Sequence, residues 1–179
     1  LRAESQDKLA LACNSTDADD AASQGDLPLV RLLRSFGVHC SPQGVKLAAG
    51  NGDLAVIHDL RAHGINGSST AANSAAAGGH LEVVQDLRTH GVHCTTEGAD
   101  RAAMNGHLEV VRDLYAHGIH CTFMGANWAA AMGHLDVVHD LRAHGIHCGT
   151  RGADWAAEYG QLHVIRDLRA HGIHCSYSG

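Results

Sequence analysis

Aromatics and prolines are scarce in this chain. Two Trp, three Tyr and two Phe make up 4% of the 179 residues, and Pro28 and Pro42 are the only prolines. Such a composition builds a thin core, and thin cores suit helices packed closely in layers. No run of 18 apolar residues exists, which excludes a membrane-spanning helix. Positive charge is short as well: 13 Lys and Arg stand against 19 Asp and Glu, a net charge of −6. That balance argues against a nucleic-acid or anionic-membrane partner, both of which reward a basic face. There is no Gly-rich phosphate loop and no nucleophile spaced against a base, so the reading expects no enzyme and no catalytic residue. The segment Leu1–Lys8 is polar and mixed, and no signal peptide is read there.

Histidine, glycine and cysteine are abundant instead, and they are periodic. Glycine recurs every 27 residues at Gly25, Gly52, Gly79, Gly106, Gly133 and Gly160, and again at Gly37, Gly64, Gly91, Gly118, Gly145 and Gly172. All six cysteines, Cys13, Cys40, Cys94, Cys121, Cys148 and Cys175, share one phase, which Gly67 alone interrupts. A fixed period of this length is the signature of a stacked array in which each unit contacts its neighbours.

One unit, Cys94 to Cys121, holds two short helices. The first opens at a capping residue, Asn14, Ser41, Ser68, Thr95 or Thr122, with Gly149 as the exception. It carries an alanine stripe (Ala99, Ala102, Ala103) and stops at Gly106. The second runs from about His107 to His117, with Leu108, Val110, Val111 and Leu114 at helical spacing. No segment alternates with period two. The expected fold is therefore all-α: an α-solenoid of about six stacked helix-turn-helix repeats over residues 14–175. Residues 1–13 are read as an N-terminal capping segment or the remnant of a preceding repeat, and 176–179 as a C-terminal tail.

The run AAMNGHLEVVRDLYAHG, repeated with variations at 129–145 and 75–91, resembles the second half of an ankyrin repeat. The family's Thr-Pro-Leu-His opening is absent. The unit has 27 residues against the 33 of that family, and the shortfall lies where an ankyrin repeat places its β-hairpin finger. The resemblance is thus to a shortened, finger-less ankyrin-like repeat. It implies a stack of paired helices, a buried apolar role for the cysteine, and a protein-binding function without catalysis.

Several columns of residues invite a chemical reading. The pairs His39-Cys40, His93-Cys94, His120-Cys121, His147-Cys148 and His174-Cys175 carry metal-ligand side chains. Equivalent residues of stacked helices sit roughly 8–10 Å apart, too far to share one ion or to form disulfides. The cysteines are read as small buried hydrophobes, with no metal and no cofactor; unpaired thiols imply an intracellular, cytoplasmic setting. The His-Gly series (His63, His90, His117, His144, His171) is read as a helix C-terminal cap. His80, His107 and His134, equivalent to Asp26, Asp53 and Gln161, are read as hydrogen-bonding residues at the start of the second helix. The column Asp19, Lys46, Asn73, Asp100, Asn127 and Asp154 should form a polar ladder to adjacent loops. Gly67 should loosen the stack locally, over residues 64–72. The histidines beside the cysteines are expected to be partly buried and to govern a modest acid sensitivity.

The surface positions vary from unit to unit, and the last three units carry the residues that interfaces favour. The candidate partner-binding residues are Arg101, Met104, Asn105, Phe123, Met124, Trp128, Met132, Arg151, Trp155, Glu158 and Tyr159. Spacings of three and four place most of them on one face of the first helix. Met132 and Tyr159 are read as exposed; for Trp128 and Trp155, core and surface readings stand equal. The functional expectation is a non-catalytic scaffold that binds a protein partner, with no nucleic acid and no membrane. One alternative is a building block that self-associates end to end. A second is a metal or redox protein that uses the His-Cys column.

Overall fold

The computed structural model describes residues 13–176. Most of the N-terminal segment 1–13 and of the tail 176–179 lies outside the described residues. Twelve helices and no strand occur among them. In chain order they are α1 (Ser15–Ser23), α2 (Leu27–Ser35), α3 (Pro42–Asn51), α4 (Leu54–Ala62), α5 (Ser69–Ala77) and α6 (Leu81–Thr89), followed by α7 (Thr96–Met104), α8 (Leu108–Ala116), α9 (Phe123–Met132), α10 (Leu135–Ala143), α11 (Thr150–Glu158) and α12 (Leu162–Ala170). The contacts fall into two units. One comprises the residues up to Ala75 with Glu82–His93; the other comprises Ala76–Leu81 with the residues from Cys94 onward.

Local chemistry explains the element boundaries. Asn14 caps α1 through a reciprocal box: its side chain accepts the Thr16 amide, and its own amide donates to Asp17. The Ser41 and Thr122 hydroxyls accept the amides of Gln43 and Met124 in the same way. Each second helix ends on a left-handed glycine. At Gly118 (φ +79°) the amide of Ile119 reaches back to the Leu114 carbonyl and that of Gly118 to Tyr115, which closes the last turn. The histidine before this glycine is the C-cap, as its place in the sequence suggests. Nδ1–H of His117, His144 and His171 donates to the carbonyl four residues earlier at 2.7–2.8 Å.

Within each unit, first helices pack on first helices and second helices on second helices. Buried alanine pairs such as Ala102-Ala103 and Ala129-Ala130 keep the first helices slim enough to approach closely. Val110, Val111 and Leu114 of α8, and Val137, Val138 and Leu141 of α10, supply the bulk of the core. Burying one such side chain contributes about 1.5–3 kcal/mol. Cys40, Cys94, Cys121 and Cys148 are also buried. The thiols of Cys40 and Cys121 donate to the carbonyls of Ala18 and Ala99, 22 residues earlier.

The expected polar ladder is present. Asp19 accepts the Ser41 amide and hydroxyl at 2.8 and 2.6 Å, and Asp100 accepts both from Thr122 at 2.7 Å. Asn127 stands opposite Gly149, which has no hydroxyl, and accepts only its amide at 2.8 Å. Room for these side chains comes from a glycine on the next helix. A Cβ on Gly125 would lie 2.4 Å from Oδ1 of Asp100, and one on Gly44 would lie 2.5 Å from Oδ1 of Asp19.

One joint departs from this pattern, and it does so in pairs. Lys46 replaces the ladder acid, and Ala71 replaces the facing glycine. Gly67 replaces the cysteine, and Val45 replaces the alanine found at that register in every other repeat. A Cβ on Gly67 would sit 3.1 Å from Cγ1 of Val45. The larger valine therefore fills most of the space left by the missing thiol. The residual cavity is about 50 Å³, lined by Val45, Ile57, Gly67, Leu87 and their neighbours. The loosening expected at Gly67 is thus offset by a compensating side chain.

Candidate partner-binding face

The candidate residues lie in the second unit, and α7, α9 and α11 carry most of them. The first helices are short and capped at fixed places, so positions one repeat apart fall side by side. This places Trp128 of α9 against Trp155 of α11. The two indoles stack with ring centroids 4.5 Å apart and planes 26° from parallel. Both are half-buried, so neither the core nor the surface reading describes them alone. The centroid separation lies at the short end of the 4.5–7 Å range of favourable aromatic pairs. The Arg151 guanidinium lies 5.8 Å from the Trp155 ring centroid, within cation–π range.

Around this pair the surface alternates apolar and charged. Met104, Met124 and Trp128, with Thr96, Glu97, Asp100 and Arg101, line an open groove of about 320 Å³. Arg101 pairs with Glu97 at 3.5 Å along one helix face. Phe123, at 63% exposure, borders a second hollow of about 520 Å³ that also includes Asn127, His147 and Arg151. Tyr159 is 53% exposed, and Glu158 and Arg101 are exposed. Met132 is half-buried rather than exposed, because α9 runs through it and its C-cap is Gly133. Asn105 has a structural partner: its side-chain amide donates to the Ala77 carbonyl at 2.7 Å. Asn51 makes the equivalent bond to Ser23, the signal that marks this register as structural.

The His-Cys columns do not assemble a reactive site. His39, His93, His120, His147 and His174 are exposed, because consecutive side chains of the extended segment point to opposite sides. The expectation that burial sets them apart is therefore corrected. Burial pushes the Cys121 thiol up to about 12, with the nearby Asp100 adding to the shift. Burial likewise raises the Cys40 thiol to about 11. At neutral pH these sulfurs are protonated, which suits neither metal ligation nor nucleophilic attack. Among the described residues no three His, Cys, Asp or Glu side chains converge to hold a metal ion. No described helix is long and apolar enough to cross a membrane. The column that opens the second helix bonds as read at Asp26 and His107, but in different ways: Asp26 caps the Leu29 amide at 2.9 Å, whereas His107 and His134 make no cap bond. Their rings lie instead against Gly79 and Gly106 of the preceding repeat, and Nε2 of His107 meets the Ala77 carbonyl at 3.0 Å.

A second column was not singled out from sequence. At Asp59, Asp86 and Asp167 the Asp of the Asp-Leu motif in the second helix accepts from two side chains of the preceding second helix, 28 and 25 residues earlier. Asp59 takes Arg31 at 2.8 Å and Arg34 at 2.5 Å. Asp86 takes His58 at 2.9 Å and also Arg61. Asp167 takes His139 and Arg142, both at 2.8 Å. The bond from Arg34, with that from Arg31, holds the Asp59 carboxyl below its ordinary 3.8. Burial pushes Asp86 and Asp167 up, but the bonds from Arg61 and His58, and from Arg142 and His139, outweigh it and leave both low. Asp140 is the exception. Arg112 reaches its Oδ1 at 2.7 Å, but Tyr115 stands where the second arginine belongs, and Oδ2 is buried without a hydrogen-bond partner. The Tyr115 ring packs against His120 and His144 instead. The signal available in the sequence was the fixed spacing of Asp-Leu-Arg, broken only by Asp-Leu-Tyr at 113–115 and by Leu32.

A family model described as ankyrin repeats (many copies) matches residues 99–142, within the second unit. None of the curated proteins compared with the chain matches it.

Proposed function

We propose that this chain, an ankyrin-like repeat protein, binds a protein partner through the first-helix face of its C-terminal repeats. Ankyrin repeats are in general protein-interaction modules and typically not catalysts, which supports a scaffold role. The observation that carries the choice of face is the half-buried Trp128–Trp155 stack. It is bordered by Met104, Met124, Phe123, Arg151 and Tyr159, the residue types that anchor interfaces. A rigid aromatic pair offers contact area at low entropic cost, and the charged rim of Glu97, Arg101, Arg151 and Glu158 supplies orientation. Asn105, exposed but bonded to the Ala77 carbonyl, and the half-buried Met132 contribute by shaping this face.

Affinity capture with the intact chain tests the proposal. A Phe123→Ser/Tyr159→Ser variant removes two exposed rings without opening the core. An Asp20→Ser/Gln43→Ser variant alters the equivalent face of the first unit. The reading expects a captured protein that is lost with the first variant and kept with the second. Retention by both, or loss only with the second, would overturn it.

A further inference from the structure

One linker departs from the repeat in its chemistry as well as in its packing. Where His39-Cys40 and the four later His-Cys pairs stand, the segment between α4 and α5 reads Asn66-Gly67. Two more Asn-Gly pairs occur, Asn51-Gly52 and Asn105-Gly106, each at the end of a first helix. An asparagine side chain followed by glycine is open to attack by its own backbone, because no Cβ shields the nitrogen of the next residue. The two helix-end pairs are held against that reaction. The side-chain amides of Asn51 and Asn105 donate to the carbonyls of Ser23 and Ala77. The amides of Gly52 and Gly106 donate to Ala49 and Ala103, and both glycines are fixed in the left-handed region at φ +83° and +78°. Asn66 is exposed and lies outside both helices. Neither its side chain nor the Gly67 amide has a hydrogen-bond partner among the described residues.

We propose that Asn66 is a self-modification site, at which the side-chain amide is converted to a mixture of aspartyl and isoaspartyl linkages. The Gly67 nitrogen bonds to Cγ of Asn66, the Cγ–Nδ2 bond breaks, and ammonia leaves with the proton of the Gly67 amide. Water then opens the cyclic imide at either of its carbonyls. Opening at the backbone carbonyl leaves the chain running through Cβ and Cγ, one carbon longer than before. Gly67 has no slack to absorb that carbon: a Cβ there would already lie 3.1 Å from Cγ1 of Val45 and 3.3 Å from Cβ of Ala71. Both products also put a carboxylate on the wall of the cavity that Arg61, Leu87 and His90 share. The isoaspartyl chain therefore has its weak point at the linker between α4 and α5, in the first unit, while Asn105 in the second unit stays protected by its own bond.

Incubating the full chain in warm, mildly alkaline buffer and mapping its peptides by mass spectrometry tests the proposal. Conversion should accumulate at Asn66 at least about tenfold faster than at Asn51 or Asn105, since each helix-end pair must first break a side-chain and a backbone hydrogen bond. Comparable rates at the three sites, or no conversion at Asn66, would overturn it. In urea strong enough to unfold the chain, the three rates should converge. A preference for Asn66 that persists there would show that the fold does not select the site and would overturn it as well. Asn66→Gln should fold like the parent and resist the reaction, because its longer side chain closes a less favourable ring. The isoaspartyl chain, purified after incubation, should melt below both that variant and Asn66→Asp, which gains the charge without the extra carbon. Equal melting temperatures for the isoaspartyl chain and Asn66→Asp would overturn the weak point assigned to the linker.

Discussion

The two units share one scaffold and differ in where they depart from it. In the first unit the first-helix face lacks aromatics and methionine and is mostly polar, with Asp20, Ser23, Gln24, Gln43, Gly50 and Asn51 around the single large apolar residue Leu47. Its carboxylates are fully served, since Asp59 and Asp86 each hold two cationic or imidazole donors. Its irregularity lies inside, at the Val45/Gly67 and Lys46/Ala71 joint. In the second unit the interior follows the repeat at Ala99, Asp100, Cys121 and Gly125, and the irregularity is outside, as tryptophan, methionine and an incompletely served Asp140. Changes within the stack come as compensated pairs, because close packing punishes a single change. Changes on the face need no compensation and are free to serve a partner.

The largest effect expected is at a served carboxylate. Asp59 is only 6% exposed, and Asp59→Leu should cost about 2–3 kcal/mol by leaving Arg34 without its charged acceptor; urea unfolding measures it. The same groups set the response to acid. The folded carboxyls of Asp59, Asp86 and Asp167 lie below their unfolded value of 3.8. Their stabilisation is complete above that value and is lost as pH falls through the lower folded values. Melting curves should therefore fall mainly below about pH 4, and replacing the exposed histidines beside the cysteines should not shift that decline.

Next comes Gly125→Ala in the second unit. Its added carbon meets Asp100 at 2.4 Å, and overpacking of this kind costs about 1–3 kcal/mol. The reverse change at the irregular joint, Ala71→Gly, meets no ladder acid and should cost less; thermal melts of the two variants compare them. A smaller effect separates single from paired changes at Gly67. Gly67→Cys alone presses on Val45 and should destabilise by about 1 kcal/mol, while Gly67→Cys with Val45→Ala should recover that loss. If the single change stabilises the chain by itself, the compensation account fails. The smallest is a gain: Tyr115→Arg would supply the missing donor to Oδ2 of Asp140 and should stabilise by about 1 kcal/mol. An unchanged denaturation midpoint would mean that water already serves that oxygen.

Much of the fold was legible because each repeat writes the same constraint again. The glycine, cysteine and alanine columns placed the helices within a residue or two, and the Asp100 column implied its ladder. What escaped was pairing at long offset. Nothing in a single unit says that Asp59 meets Arg31 and Arg34; that follows only once the helices are stacked. The tryptophans could not be assigned from spacing, because a side chain on the flank of a first helix is buried or exposed according to its neighbour's size. Here the neighbour is a second tryptophan, and each half-covers the other. Met132 was misjudged for a related reason: as the last residue of its helix it turns partly inward.

Trp128 and Trp155 are the only tryptophans in the chain, so their fluorescence reports on the proposed face alone. The most direct test is acrylamide quenching of their emission, with and without a captured protein partner, using a Trp128→Phe/Trp155→Phe chain to subtract any emission from the partner itself. The account predicts that binding shields the pair and lowers the quenching constant. A partner that binds the chain while leaving tryptophan emission and quenching unchanged would contradict it.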